Sequence, residues 1–243
     1  MFVLGCYLSQ VGGYFLACIP YVLFDIIRPA FANDYKIQAK TYPSKQQMIQ
    51  SCKDMMVSFS TVVLPMLIFG GFFIERIGIT RDGPIPKPLV MLIQIAYFFL
   101  VEDFLNYWFH RWLHLPWLYK HIHSVHHKYD SPFGLVAAYA HPAEVVILAI
   151  PTFVGPVAVG PHLYTLMIWQ AFRNFEAIDI HSGYEFPYSL KTLFPAYAGT
   201  KHHDYHHYMH SGNFASIFTW CDRLYGTDTG YRTYEARRRE KEE

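Results

Sequence analysis

Residues 145–172 read VVILAIPTFVGPVAVGPHLYTLMIWQAF and contain no charged side chain. A helix needs about 20 apolar residues to cross a bilayer, so this stretch is long enough to do so. It also contains Pro151, Pro156 and Pro161, and a proline removes a backbone hydrogen bond from a helix interior. The spacing predicts two shorter helices joined by a turn near Gly155 to Pro161, so that the chain returns to the side of the membrane that it left.

Three more apolar segments precede this stretch. They are Met1–Phe24, Met55–Ile74 and Pro88–Val101. The third continues without a breaker into the amphipathic segment Glu102–Leu115, which predicts one long helix that leaves the membrane. A cleaved signal peptide is the alternative for the first segment, but it has no basic start and further apolar segments follow.

The composition agrees with a chain that meets lipid. Only 16% of the residues are charged and 52% are hydrophobic, whereas an ordinary soluble domain carries about 25% charged residues. The formal net charge is +1, so we expect no nucleic-acid partner. The four cysteines are scattered, with no C-x-x-C pair, and are interpreted as free thiols: Cys6, Cys18, Cys52 and Cys221.

Three histidine clusters stand out in the second half of the chain. They read HRWLH at 110–114, HSVHH at 123–127 and HDYHH at 203–207. Residues three and four apart share a helix face, so each cluster directs its imidazoles toward one point. Neutral imidazole binds iron, copper, zinc and nickel. Eight such side chains exceed the usual four ligands of a zinc ion, and two metal ions are therefore predicted.

The order of these clusters along the chain provides a check. The first two precede residues 145–172 and the third follows them. All three can build one site only if that stretch turns back, as its prolines predict. No G-x-G-x-x-G or C-x-x-C-H motif is present, so a nucleotide or haem is not expected and electrons must come from a partner protein.

The clusters and their surroundings resemble the fatty acid hydroxylase and sterol desaturase superfamily of membrane di-iron enzymes, and most of all the methylsterol monooxygenases, the sterol carbon-4 methyl oxidases. The matching text runs from DYKIQAK near Asp34 to Arg232. It includes VEDFLNYWFHRWLH, WLYKHIHSVHHKYDSPFGL, YAHPAE, IHSGYEFP, HHDYHH and NFASIFTWCDRLYGTDTGYR.

This resemblance implies an endoplasmic reticulum enzyme whose di-iron centre faces the cytosol. It implies oxidation of a sterol 4-methyl group through alcohol and aldehyde to carboxylate by dioxygen, with electrons from NADPH through cytochrome b5 and its reductase. It also adds His141 and His181 to the ligands. The full predicted set is His110, His114, His123, His126, His127, His141, His181, His203, His206 and His207.

Carboxylates near these ligands in the sequence are predicted to orient the imidazoles, because metal-bound histidines usually donate their other nitrogen to an acceptor. A helix cap or a solvated face is the alternative for each. They are Asp103, Glu144, Glu176 and Asp204. No metal role is assigned to the remaining histidines, which are His121, His162, His202 and His210.

The predicted fold is all-α: an integral membrane helical bundle with a cytosolic helical cap that holds the dimetal site. We expect one domain over residues 1–243, mainly transmembrane in 1–101 and catalytic in 102–243, with a re-entrant hairpin at 145–172. The nearest alternatives are a lipid hydroxylase or a sterol desaturase on the same scaffold. A metal-binding membrane protein without enzymatic activity and a zinc hydrolase are further alternatives.

Overall fold

A computed structural model describes residues 2–74 and 76–242. Three predicted segments each have one residue outside the described part of the chain: Met1–Phe24 at its start, the link Glu75–Lys87 at its start, and the charged tail Arg237–Glu243 at its end.

Helices form the fold, and the described residues contain no strand of a sheet. The helices are α1 (Phe2–Ile27), α2 (Ala30–Asn33), α3 (Lys45–Ser58), α4 (Leu64–Phe73), α5 (Pro88–Leu113), α6 (Pro116–His121), α7 (Pro142–Val159), α8 (Leu163–Ile180), α9 (Leu190–Leu193), α10 (Gly199–Met209), α11 (Trp220–Tyr225) and α12 (Thr229–Glu242). A π-helical turn, Phe59–Val63, joins α3 to α4, and 3₁₀ turns cover His123–Lys128 and Gly134–Val136.

The sequence marks where several of these helices begin. Ser44 and Gln47 form a reciprocal capping box at the start of α3. Each side chain accepts from the backbone N–H of the other residue, and these two N–H groups have no partner within the helix. Pro88 and Pro142 occupy the first turns of α5 and α7, where the missing proline N–H costs nothing.

Four helical segments are long and apolar enough to cross a membrane. They are Val3–Ile27, Lys45–Phe73, Pro88–Leu113 and Pro142–Val159. In each segment, between 11% and 22% of the most apolar 18-residue stretch is buried inside the protein. Most of these apolar side chains therefore face outward. Such a surface suits lipid and would be unfavourable in water. The prediction of an all-helical membrane protein is confirmed.

The turn of the helical hairpin lies within the expected range Gly155–Pro161, but the two prolines before it do not break the helix as expected. The turn lies at Gly160, whose φ of 61° ends α7 in the left-handed conformation, while Pro151 and Pro156 lie inside α7 and do not end it. Pro156 cannot donate to the carbonyl of Thr152 one turn earlier. The Trp169 indole N–H of α8 donates to that carbonyl at 3.0 Å, which compensates for the missing bond.

Close packing holds the hairpin against the rest of the protein. A Cβ on Gly155 would lie 3.3 Å from the Cα of Phe98 on α5, so glycine allows the two helices to approach. On the other side, Tyr21 of α1 donates to Asp179 of α8 at 2.6 Å. Both ends of the hairpin reach the histidine clusters, because Glu144 at the start of α7 contacts His123 and His181 at the end of α8 contacts His126 and His203.

Candidate metal centre

Histidines from four parts of the chain meet at one end of the bundle. They come from the end of α5, the 3₁₀ turn after α6, the end of α8 and the length of α10. They form two groups in which the ligand atoms all lie within 4.8 Å of one another: His110, His114, His123, His127 and His206 in the five-histidine group, and His126, His181, His203 and His207 in the four-histidine group.

The Nε2 atoms converge within each group. In the five-histidine group, His123 Nε2 lies 3.1 Å from both His110 Nε2 and His127 Nε2. In the four-histidine group, His181 Nε2 lies 3.0 Å from His203 Nε2 and 3.3 Å from His126 Nε2. Imidazole nitrogens bind metals at about 2.0–2.1 Å, so two of them at right angles around one ion lie about 3.0 Å apart. The observed separations fit ligands of a common ion.

For the pair His126 and His181, the opposite ring nitrogens show that the Nε2 contact is not a hydrogen bond. The Nδ1 atoms of His126 and His181 contact the carbonyl oxygens of Tyr139 at 3.1 Å and Ala177 at 2.7 Å. A carbonyl only accepts, so both Nδ1 atoms carry the proton and both Nε2 atoms present lone pairs. Two lone pairs 3.3 Å apart repel each other unless a cation lies between them.

The five-histidine group has the same arrangement. His110 Nδ1 donates to the Phe214 carbonyl at 2.9 Å, and His206 Nδ1 donates to the Gly212 carbonyl at 2.6 Å. His123 Nδ1 donates to Glu144 Oε1 at 2.8 Å. Their Nε2 atoms therefore all face the group interior as acceptors, which is the form that a metal ion binds.

Burial keeps these rings neutral. Desolvation lowers the pKa of His126 to about 4. It lowers the pKa of His181 to about 3, with a further contribution from the neighbouring His126. Neutral imidazole is the ligand form, so protons compete weakly for the site at neutral pH.

The structure does not bring His141 into either group. Its Nδ1 instead accepts the backbone N–H of Ala143 at 3.2 Å and caps the start of α7. The prediction that His141 is a ligand therefore finds no support in this arrangement. A ring that caps its own helix is directed by local geometry, which explains the difference.

The four histidines without an assigned metal role also lie outside both groups. His162 caps α8 through the backbone N–H of Tyr164, and exposed His121 lies against the Trp117 carbonyl. His202 is buried beside Asp222, with 3.5 Å between Nε2 and Oδ2. His210 lies between Tyr119 and Asp130.

One of the four predicted carboxylates contacts a ligand ring. Glu144 binds His123, and both side chains are 1% exposed. Asp103 accepts instead from the backbone N–H groups of Ile217 and Phe218, which ties the loop between α10 and α11 to α5.

The other two carboxylates have partners away from the imidazoles. Glu176 forms an ion pair with Arg173, and Asp204 accepts from the amide of Gln38. Asp103, Glu176 and Asp204 thus depart from the expectation, because proximity along the chain did not place them beside a ring.

Most acceptors that orient the rings escaped sequence reasoning because they are backbone carbonyls, which no residue type marks. Phe214 was also missed. Its ring centroid lies 5.0 Å from that of His114 and 5.8 Å from that of His206, so it covers one side of the five-histidine group with apolar surface.

Comparison with known proteins agrees with this geometry. The sequence model of the family described as Fatty acid hydroxylase matches residues 95–227, which contain all nine grouped histidines. Methylsterol monooxygenase 1-3 of Arabidopsis thaliana is 43% identical over 219 residues, which cover 89% of this chain and 75% of that protein. Methylsterol monooxygenase 2-2 of the same plant is 41% identical over 232 residues, covering 94% and 86%.

Relatives with another name are equally similar. A very-long-chain aldehyde decarbonylase of Oryza sativa subsp. japonica is 43% identical over 224 residues, which cover 91% of this chain and 74% of that protein. No solved structure matches the chain.

Proposed function

This chain belongs to the fatty acid hydroxylase family, and we propose that it oxidises the 4-methyl group of sterol intermediates through alcohol and aldehyde to carboxylate. The family and its relatives make it an oxidoreductase. The observation that carries the proposal is the pair of histidine groups with inward-facing Nε2 atoms, in a chain 41–46% identical to proteins named methylsterol monooxygenase.

We assign two iron ions to the two groups, with the nine grouped histidines as ligands. A methyl C–H bond resists acids and bases, and bound iron supplies the one-electron and dioxygen chemistry that it requires. The residues of the chain position and shield this chemistry. Backbone carbonyls and Glu144 hold the rings, while Phe214 keeps water from one side.

The electrons are proposed to come from NADPH through cytochrome b5 and its reductase. The absence of a nucleotide-binding motif from the sequence supports an external donor. We place the protein in the endoplasmic reticulum membrane as a single domain over residues 1–243, with a re-entrant hairpin at 145–172 and the metal centre facing the cytosol. The membrane helices and the return of α8 to the histidine groups support this arrangement.

The test is expression in cells whose own sterol 4-methyl oxidation is disabled, followed by sterol analysis. We expect the accumulated 4-methyl sterols to fall and oxidised products to appear. His127→Ala should leave the profile of the disabled cells unchanged, whereas His121→Ala, at an exposed ring outside both groups, should act like the parent chain. An unchanged sterol profile with well-folded, iron-loaded parent protein would refute the proposal.

The second candidate function is conversion of a very-long-chain aldehyde. It is favoured by a relative named aldehyde decarbonylase, which is 43% identical to this chain, as is methylsterol monooxygenase 1-3. The same cells, supplied with a very-long-chain aldehyde, test it. Loss of that aldehyde without any change in sterols would favour this candidate.

A further inference from the structure

The loop between α10 and α11 carries two of the carbonyl groups that hold the imidazoles. His206 Nδ1 donates to the Gly212 carbonyl at 2.6 Å, and His110 Nδ1 donates to the Phe214 carbonyl at 2.9 Å. Both histidines belong to the five-histidine group. The position of residues 212–214 therefore determines how two of the five rings present their Nε2 atoms.

The backbone of this loop has a conformation that does not hold itself in place. Gly212 and Asn213 are consecutive residues in the left-handed region, with φ angles of 70° and 52°. Glycine adopts a positive φ freely, whereas asparagine does so less readily. Such a backbone persists where the surrounding structure fixes it, so the contacts that the loop receives from outside decide where its carbonyls lie.

Asp222 of α11 supplies two of these contacts. Its side chain is 0% exposed. Oδ1 accepts the backbone N–H of Phe214 at 2.9 Å, and Oδ2 accepts the backbone N–H of Ala215 at 2.8 Å. The Thr227 hydroxyl donates to Oδ1 at 2.5 Å. A buried carboxylate is unfavourable unless it is hydrogen-bonded, and these three donors provide the bonds that it needs.

Thr227 holds the other half of the loop. Its carbonyl accepts the backbone N–H of Asn213 at 3.0 Å, and a Cβ on Gly212 would lie 2.5 Å from the same oxygen. The Asn213 side chain also donates to the His202 carbonyl of α10 at 3.0 Å. Asp222 and Thr227 thus fix adjacent parts of the loop and are hydrogen-bonded to each other.

Stabilisation of its own helix is the alternative role for Asp222. An acidic residue in the first turn of a helix often interacts with the N-terminal backbone groups, and Asp222 is the third residue of α11. Its carboxylate bonds lead elsewhere, however, because all three donors belong to residues outside α11. The contacts therefore favour a role in holding the loop.

We propose that Asp222 is a positioning residue for the five-histidine group. Its carboxylate fixes the loop, and the Gly212 and Phe214 carbonyls of the loop fix the rings of His206 and His110. This inference rests on the proposed function, which assigns an iron ion to that group.

The two histidine groups should differ in their response to a change at Asp222. In the four-histidine group, His126 and His181 donate to the carbonyls of Tyr139 and Ala177, which lie outside the loop. Loss of the carboxylate should therefore weaken the binding of one iron and leave the other unchanged. A general loss of stability would instead affect both.

The experiment uses the full, iron-loaded chain in lipid nanodiscs, equilibrated against increasing chelator, with retained iron measured by elemental analysis. Asp222→Asn keeps the size of the side chain, but its amide nitrogen cannot accept from a loop N–H. It should release one iron at about tenfold lower free chelator than the parent, and the second iron at the parental concentration. The matched control is Asp228→Asn, the same substitution at a carboxylate that is 3% exposed and pairs with Arg232 of α12. It should release both irons as the parent does.

A double variant identifies the affected group. Glu144 contacts His123, which belongs to the five-histidine group, so Glu144→Ala weakens that group by a separate route. Combined with Asp222→Asn, it should still release only one iron early. Early release of both irons would place the effect of Asp222 at the other group and overturn the proposal.

Two results for the single variant would also overturn it: a release curve that matches the parent, and an equal shift for both irons. If Asp222→Asn does not fold, Thr227→Val decides, because it removes only the hydroxyl that donates to Asp222 and to Tyr107 or accepts from it. It should shift one iron by about threefold, and an unchanged curve or an equal shift for both irons would refute the proposal.

Iron release is measured without sterol, so the two proposals fail separately. Sterol turnover by the parent, together with a parental release curve for Asp222→Asn, would refute only the positioning role. Selective release of one iron from Asp222→Asn, in a parent chain that leaves the sterol profile unchanged, would refute only the proposed function.

Discussion

Removing Glu144 should weaken metal binding at one of the two histidine groups. Glu144 accepts a hydrogen bond from His123 Nδ1 at 2.8 Å, and both side chains are 1% exposed. A hydrogen bond to a charged group contributes about 1.5–3 kcal/mol. Loss of an acceptor behind a metal-bound histidine typically costs about 10- to 100-fold in metal affinity. The loss of metal affinity in Glu144→Ala should fall in that range. Glu144→Gln keeps a neutral acceptor, so its metal affinity should fall by only about threefold to tenfold.

The assay is stepwise metal removal. Protein loaded with iron is equilibrated against increasing chelator, and retained iron per chain is measured by elemental analysis. His123 belongs to the five-histidine group only, so the four-histidine group is an internal control in every sample. Glu144→Ala should release one iron at 10- to 100-fold lower free chelator than the parent, and the second iron at the parental concentration.

Glu235→Gln is the control for altered charge, because Glu235 lies on α12, far along the chain from the ligands, and pairs with Arg238. Two results would refute the reasoning. One is a release curve for Glu144→Ala that matches the parent, and the other is an equal shift for both irons.

Four further predictions follow from the same arrangement. Elemental analysis of protein purified without chelator should give about two irons per chain, with X-ray absorption showing nitrogen ligands at roughly 2.0–2.3 Å; full activity with a single zinc would contradict this. His127→Ala should abolish sterol turnover while His121→Ala retains most of it, and equal loss in both would show that the ligand assignment is wrong. Trp169→Phe should lower the free energy of unfolding by about 1–3 kcal/mol, since it leaves the Thr152 carbonyl unpaired. An unchanged denaturation midpoint would show that this hydrogen bond does not stabilise the hairpin. In a cysteine-free background, single cysteines at Ser124 and Lys201 should react alike with an impermeant maleimide in sealed microsomes, and opposite protection would exclude a shared site.

The three histidine clusters contain eight of the nine histidines that the fold brings into the two groups. Neighbours three and four apart stay close on a helical turn, but the expectation that each cluster points toward one site is wrong for two of the three. His126 joins the four-histidine group while His123 and His127 join the five-histidine group, and His206 separates from His203 and His207 in the same way. Isolated histidines behave differently. The resemblance suggested both His141 and His181, but only the path of the folded chain decides that His181 reaches the others and that His141 caps its own helix.

The prolines of α7 show why long-range contacts escape prediction. Pro156 indicated a break, and the helix continues because Trp169, thirteen residues later, supplies the missing donor. The same limit applies to the carboxylates. Proximity in sequence singled out both Glu144 and Asp103, yet only the fold shows that one contacts an imidazole and the other contacts the backbone of a distant loop.

Because backbone carbonyls accept from several of the imidazoles, the orientation of those rings does not depend on the side chains at the carbonyl positions. Tyr139, Ala177 and Phe214 offer their main-chain oxygens, which survive any exchange of side chain that leaves the backbone in place. Gly212 is the exception, because a Cβ there would lie 2.5 Å from the Thr227 oxygen. Insertions and deletions near these positions should therefore damage the centre more than point substitutions do. The side chains around these carbonyls can therefore change while the imidazoles keep their orientation.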